Sequence, residues 1–254
     1  YFLKNKYHKK VAKVALNANF TCPNRDGTIS KGGCIYCSNS ASGDFGGNPN
    51  EDLLIQFEKG KALMQSKWSD CGFIAYFQAG TNTYGDMAYL KACFEPFVNH
   101  QDVLGLAIAT RPDCLNEEIL DYLESINQRT HLTIELGLQT IHAKTAQLIN
   151  RGHDLETFVQ AVKNLRNRKI DVCVHIINGL PFETADDMLE TAHFISTLDI
   201  QYLKIHMLFI LDNTPLYHYY QQHPFPLLER EAFIDIVVKQ LELQKPELVI
   251  ERLT

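Results

Sequence analysis

Segments with strand-like and helix-like periodicity alternate through the 254 residues with little between them, and this restricts the fold more than any other property of the chain. Apolar runs of strand length lie at 11–17, 73–78, 104–110, 133–139, 172–177 and 202–208. Helical spacing recurs at 51–67, 87–99, 117–128, 143–149, 155–168, 185–197 and 228–244. In the first helix Leu53, Leu54, Phe57 and Met64 share a face, and Asn116 is placed to cap the third. Strands joined by helices in this way pair in parallel, through right-handed crossovers that put the helices outside. Six such units predict an α/β fold, a partial (β/α)6 TIM-like barrel open on one side, because eight are needed to close the ring. With 45% hydrophobic residues, no repeat and no break in composition, 1–254 reads as a single core domain with trimmed termini. The stretch 223–226 reads as a turn.

Parallel strands covered on both faces should be nearly all apolar, and these are not. Within 133–139, Ile134, Leu136 and Leu138 share one face while Glu135, Gly137 and Gln139 share the other. Tyr76 and Gln78 share a face of the second strand, His175 interrupts the fifth, and Lys204 and His206 share a face of the sixth. Asn17 ends the first strand and Arg111 follows the third. A lone inward histidine is ordinarily a hydrogen-bonded core residue. Polar residues from all six strands are harder to dismiss, since each is costly to bury unpaired. The pattern predicts a polar ligand cavity inside the barrel, with active residues toward the carboxyl ends of the strands.

The first strand leads into CPNRDGTISKGGCIYC, which carries Cys22, Cys34 and Cys37. Three closely spaced thiols in a chain of otherwise intracellular character point to a metal or cluster site rather than to disulfides. A cubane iron–sulfur cluster held by four cysteines is coordinatively closed, whereas three leave one iron open to a ligand. The next cysteine, Cys71, lies beyond a whole helix. A structural zinc site is the rival reading, but it normally wants four ligands, and only the Cys34/Cys37 pair and a distant His8 are on offer. Gly27, Gly32 and Gly33 let the backbone fold tightly around an inorganic core, and Tyr36 supplies an aromatic wall. Cys93 and Cys173 fall in apolar runs as small core residues, while Cys71 and Cys114 sit at element boundaries with no assigned function.

The formal charge of −6 does not indicate a strongly basic nucleic-acid binder. The run Lys4, Lys6, His8, Lys9, Lys10, Lys13 is nevertheless basic, and reads as a solvated arm or a phosphate-binding patch. No apolar run approaches a membrane span and no signal peptide is visible, so a cytoplasmic location is expected.

Further motifs surround these residues: ATRPD at 109–113, ELGLQT at 135–140, NRGHD at 150–154 and NGLPFET at 178–184. With the LNANFTCPNRDG loop and the YFQAGTNTY strand, they make the chain resemble the radical S-adenosylmethionine (SAM) superfamily. Within it the resemblance is to the YhcC/YtqA-type bacterial proteins. These are related to the radical-SAM subunit of Elongator and, more distantly, to the oxygen-independent coproporphyrinogen dehydrogenases. The resemblance implies a 4Fe-4S cluster on Cys22, Cys34 and Cys37, with Tyr36 beside it, although the first spacing exceeds the common C-x3-C-x2-C. It implies that the SAM amine and carboxylate chelate the open iron, with Gly80 and Thr81 at the amine and Gln139 and Arg151 as polar contacts, Arg151 facing the carboxylate. His175 is implied as a cofactor contact, standing where the porphyrin enzymes carry an aspartate, so that its ribose contact differs in chemistry, and Ile177 would line the adenine pocket. Ala109 replaces an expected third-strand glutamate, for which Glu135 is a candidate substitute. The implied chemistry is one-electron reduction of the sulfonium, carbon–sulfur cleavage and hydrogen abstraction by a 5′-deoxyadenosyl radical.

The substrate that the nearest motif relatives imply is tRNA, modified at a wobble uridine. In that reading Lys204 and His206 contact the base, the basic arm meets phosphates, and Arg166, Arg168 and Lys169 add a surface patch. A small metabolite or porphyrin-like substrate is the alternative, and a non-catalytic zinc-stabilised adaptor is a third. The radical chemistry implies an electron donor such as flavodoxin or ferredoxin.

Overall fold

The computed structural model describes residues 2–38 and 46–254. One sheet of seven parallel strands runs in sequential order: β1 Lys10–Leu16, β2 Cys71–Phe77, β3 Val103–Thr110, β4 His131–Gln139, β5 Asp171–Asn178, β6 Tyr202–Met207 and β7 Val249–Arg252. β1 and β7 are its edges, so the sheet curls into a half-barrel that stays open. Seven helices follow the predicted segments: α2 Leu53–Lys67, α3 Met87–Val98, α4 Glu117–Asn127, α5 Ala143–Leu148, α6 Leu155–Asn167, α7 Ala185–Ser196 and α9 Arg230–Glu242. Asp52, Asp86, Asn116, Asp154 and Thr184 each accept a first-turn amide, which fixes where five of them start.

Among the described residues, four elements go beyond the sequence reading: α1 Phe2–Tyr7, a 3-10 turn at Pro112–Cys114, α8 Pro215–Gln222 and the seventh strand β7. Six strands were expected, and β7 escaped notice because four residues at the end of the chain have no following turn or helix to bracket them. α8 carries Thr214 as N-cap and Pro215 in its first turn, a start signal masked by the strand-favouring tyrosines that follow.

The two faces of the sheet separate as the alternation demands. On the outer face Leu16, Phe77, Leu106, Ile134, Leu136, Val174 and Ile205 are fully buried beneath Phe57, Phe94, Phe97 and Phe158 of the helices. The inner face begins with a smaller apolar layer of Ile74, Tyr76 and Ala107, onto which Leu3 of α1 packs with Val11 and Ala15. Phe2 meets the Tyr202 ring edge-on at 5.9 Å, and the Tyr7 hydroxyl donates to the Leu104 carbonyl at 3.4 Å. α1 is therefore docked to the barrel.

That placement corrects the reading of the basic run as an arm. Lys6 reaches His131 Nδ1 at 3.1 Å, Lys10 lies 4.0 Å above the Trp68 ring, and Lys13 points into the barrel, where it pairs with Glu135. The 166–169 patch is likewise engaged: Arg166 pairs with Asp171 and Asp199, and Arg168 with Glu117 and Asp121.

Candidate active site

Past the carboxyl end of β1, the cysteine loop folds back on itself. Residues 23–33 form a small antiparallel excursion: Ile29 N–H donates to the Pro23 carbonyl at 2.8 Å, Gly33 N–H to the Asn24 carbonyl at 2.8 Å, and Asp26 bridges Lys31. The excursion returns the chain toward its start, which accounts for the long first spacing. A turn from Cys37 N–H to the Cys34 carbonyl, 3.0 Å, then sets the last pair.

The loop is clamped by its neighbours. Ile35 N–H donates to Ile149 O at 3.0 Å, Asn150 Nδ2 donates to Gly33 O at 2.8 Å, and Thr81 N–H donates to Thr21 O at 3.0 Å. Gly80 has φ +76°, and a Cβ there would run into the Phe20 carbonyl, so only glycine permits this approach. Gly80 and Thr81, expected to meet a ligand amine, thus also hold the loop beside Cys22.

Burial pushes the Cys34 thiol up to about 11, and the neighbouring Cys37 and Cys22 add to the shift. The three thiols share one neighbourhood. Three thiolates suit an iron–sulfur core with one iron left open, so the donor set fits a cluster. Cys114 lies close by, but burial and Asp113 push its thiol up to about 12. Cys71, Cys93 and Cys173 are buried, as the sequence suggested for the last two.

Around the loop stand the other sequence-selected residues. Tyr36 packs with Ile35 against an apolar cluster that includes Ile149, Ile177 and Leu180, so the aromatic wall and Ile177 belong to one surface. Gln139 ends β4 in the left-handed region, φ +67°, and its Oε1 is buried without a hydrogen-bond partner. Arg151 is 3% exposed, and four of its five N–H groups are engaged: Nη1 with the Leu138 and Thr140 carbonyls, Nε and Nη2 with the His153 carbonyl. Its partners are carbonyls, not the anion expected for a buried cation. Arg111 pairs in bidentate fashion with Asp113 and donates to Arg151 O at 2.7 Å. Asn17 Oδ1 accepts from Asn19 N–H at 3.0 Å.

Deeper in the barrel the inward polar residues converge on Glu135, whose side chain is fully buried. It receives Lys204 Nζ at 2.6 Å, Lys13 Nζ at 2.8 Å, His175 Nε2 at 2.8 Å and the Tyr76 hydroxyl at 2.8 Å. Glu251 takes Lys13 at 2.6 Å and lies 3.5 Å from Lys204, tying edge strand β7 to edge strand β1 across the opening. His206 Nε2 is 3.1 Å from His175 Nδ1. Burial opposes ionisation of Glu135, but Lys13, Lys204 and the His175 hydrogen bond outweigh it and hold the carboxyl well below its ordinary range. Lys204 and His175 are therefore tied into this network, and half-buried His206 is its outermost member. Lys13 and Glu251 are members of this network that the sequence reading missed. Lys13 was absorbed into the basic run, although its alternation with Val11 and Ala15 places it inward.

Three histidines make this fold acid-sensitive. Burial holds His131 and His153 down to about 4 and His206 to about 3, with Lys6, Arg151 and His175 adding their charges respectively. Unfolded, each titrates near 6.5, so below that pH the unfolded chain binds more protons. Stability of the apoprotein should fall as pH drops from 6.5 toward 4.5, by ~1.4 kcal/mol per unit for each histidine that stays neutral. Glu183, pushed up by burial, works in the opposite direction and offsets part of this. Urea midpoints at pH 7 and pH 5 check the effect. A His131→Gln variant with an unchanged pH slope would contradict it.

Comparison with known proteins places this geometry. The model of the Radical SAM superfamily matches residues 22–195, from the first loop cysteine to the end of α7. The chain belongs to the radical SAM superfamily. The Radical_SAM C-terminal domain matches 200–254, the segment that adds β6 and β7 to the same sheet. Within the superfamily the chain is of the YhcC/YtqA type, being 48% identical to YtqA of Bacillus subtilis (strain 168) over all 254 residues and 79% of that protein. A tRNA uridine(34) acetyltransferase of Methanocaldococcus infernus is 26% identical over 140 residues, 53% of this chain and 25% of that protein. The solved archaeal Elp3 of Methanocaldococcus infernus shares the radical SAM fold at a TM-score of 0.71 and 17% identity, covering 96% of this chain and 56% of that one. The chain thus spans little more than half of that structure. No helix among the described residues is long and apolar enough to cross a membrane.

Proposed function

We propose that Cys22, Cys34 and Cys37 hold a 4Fe-4S cluster on which SAM is reductively cleaved, and that the chain works as one catalytic unit. The carrying observation is the clamped loop, which holds three thiols in one neighbourhood. When bound, the cluster and SAM supply a 5′-deoxyadenosyl radical. The rest falls to the protein's own residues. Gln139 Oε1, buried and unpaired, waits for a donor from the ligand, and Arg151 offers its charge and one remaining Nη2 hydrogen to the carboxylate. Gly80 and Thr81 meet the amine, while Ile177 and Tyr36 keep water from the adenosyl side. His175, the expected cofactor contact, is oriented by Glu135 at 2.8 Å.

The substrate that the relatives support best is tRNA, modified at a wobble uridine in the cytoplasm, with an electron donor such as flavodoxin or ferredoxin. Its support is the likeness to the tRNA uridine(34) acetyltransferase. Of the two residues expected at the base, His206 is the better placed, since Lys204 is paired with Glu135. A small-metabolite or porphyrin-like substrate is favoured by a different observation: the basic residues named for phosphate contact include Lys6, Lys13, Arg166 and Arg168, all engaged within the fold. Nucleoside analysis of tRNA from a deletion strain separates the two. Loss of a wobble-uridine modification supports tRNA, and an unchanged profile transfers the proposal to a small substrate.

A further inference from the structure

Asn24 is fully buried in the cysteine loop, two residues after Cys22, and its side chain is oriented by an unusual set of neighbours. Nδ2 donates to the Asn150 carbonyl at 2.5 Å, and the same nitrogen lies 3.6 Å from Cys34 Sγ. The Asn150 carbonyl can only accept, so the amide cannot be flipped to put its oxygen there. With one hydrogen committed to Asn150, the other is directed at the sulfur.

The opposite end of the amide is left without compensation. Oδ1 is buried and has no hydrogen-bond partner, and Gly152, at φ +82°, leaves room for it where a Cβ would come within 2.5 Å. Burying an unpaired carbonyl is a cost that an apolar side chain of similar size would avoid. The tight turn at Asn150, φ +53°, is itself pinned by Asn150 Nδ2 on Gly33 O and Ser30 Oγ. The loop and the NRGHD turn thus hold one N–H on one particular thiol.

We infer that Asn24 is a positioning residue that raises the reduction potential of the cluster through an N–H···S bond to Cys34. A hydrogen bond to a cysteine ligand withdraws negative charge from its sulfur and favours the reduced form, and hydrogen bonds to the sulfurs are among the determinants of cluster potential. The inference rests on the proposal that the three cysteines bind a cluster.

The test uses the whole chain, reconstituted anaerobically with iron and sulfide, as wild type, Asn24→Leu and Asn24→Asp. Leucine removes the donor without adding charge and carries the decision, while aspartate keeps the shape but adds a carboxylate that lowers the potential further. Iron and sulfide content and the midpoint potential of the cluster signal are read for each. Both variants should hold a full cluster that is at least about tenfold harder to reduce, equivalent to about 59 mV more negative for a one-electron couple. An unchanged potential in Asn24→Leu, or loss of the cluster from both variants while wild type retains it, would overturn the inference and leave Asn24 as a mechanical clamp. Failure of the wild type itself to assemble a cluster would instead remove the underlying reading of the cysteines.

Discussion

Glu135→Ala should destabilise the protein by about 3–5 kcal/mol, the usual consequence of removing one partner from a buried charge cluster. The carboxylate it removes receives two ammonium groups, an imidazole and a phenol. Lys204 has 9% of its side chain exposed and Lys13 has 21%, so neither is free to return to bulk water without moving the strands that carry them. Glu251 can take over part of the load, since it already contacts Lys13 at 2.6 Å, and this favours the lower end of the range. The second arm is the double variant Glu135→Leu with Lys204→Met. Removing both charges together avoids the stranded ammonium, so its loss should be smaller than the sum of the single losses. Urea titration of Glu135→Ala, of the singles Glu135→Leu and Lys204→Met, and of their double reads both quantities. A Glu135→Ala loss under about 1 kcal/mol, with strictly additive doubles, would show that the barrel interior is wet and the network weak.

Each of Cys22→Ala, Cys34→Ala and Cys37→Ala should abolish cluster assembly while leaving the barrel folded. The thiols lie in a loop outside the sheet, whose large apolar core sits between its outer face and the helices. What the loop contributes to the fold is chiefly main-chain bonding and the Asn24 and Asn150 side chains, of which an alanine removes only the Asn24 contact to Cys34 Sγ. The expected pattern is iron and sulfide near zero in each variant, with far-ultraviolet circular dichroism and urea midpoint close to those of the wild-type apoprotein. Retention of a full cluster by any one variant would show that a different residue supplies the third ligand.

The periodicity of the sequence sufficed for the barrel because each strand carries both faces in its own alternation. Ile134, Leu136 and Leu138 face the helices, and Glu135 faces inward, as their positions require. The cysteines and Tyr36 stand out in the sequence because spacing and residue type alone mark them. Pairing partners were not. Nothing local tells that Lys13 of β1 and Glu251 of β7, separated by nearly the whole chain, meet at 2.6 Å, since that contact exists only once the sheet has curled. The same holds for Arg151: its sequence context points to an anion, while the carbonyls that hold it come from turns whose geometry is set by left-handed residues Gln139 and Asn150.

The central claim is that this loop presents an open cluster on which SAM is cleaved. Its most direct test is the yield of 5′-deoxyadenosine when the anaerobically reconstituted protein is mixed with SAM and a strong one-electron reductant. The account predicts 5′-deoxyadenosine and methionine in equal amounts from the wild type and neither from any of the three cysteine variants. A wild-type protein that carries stoichiometric zinc, takes up no iron and forms no 5′-deoxyadenosine would contradict it.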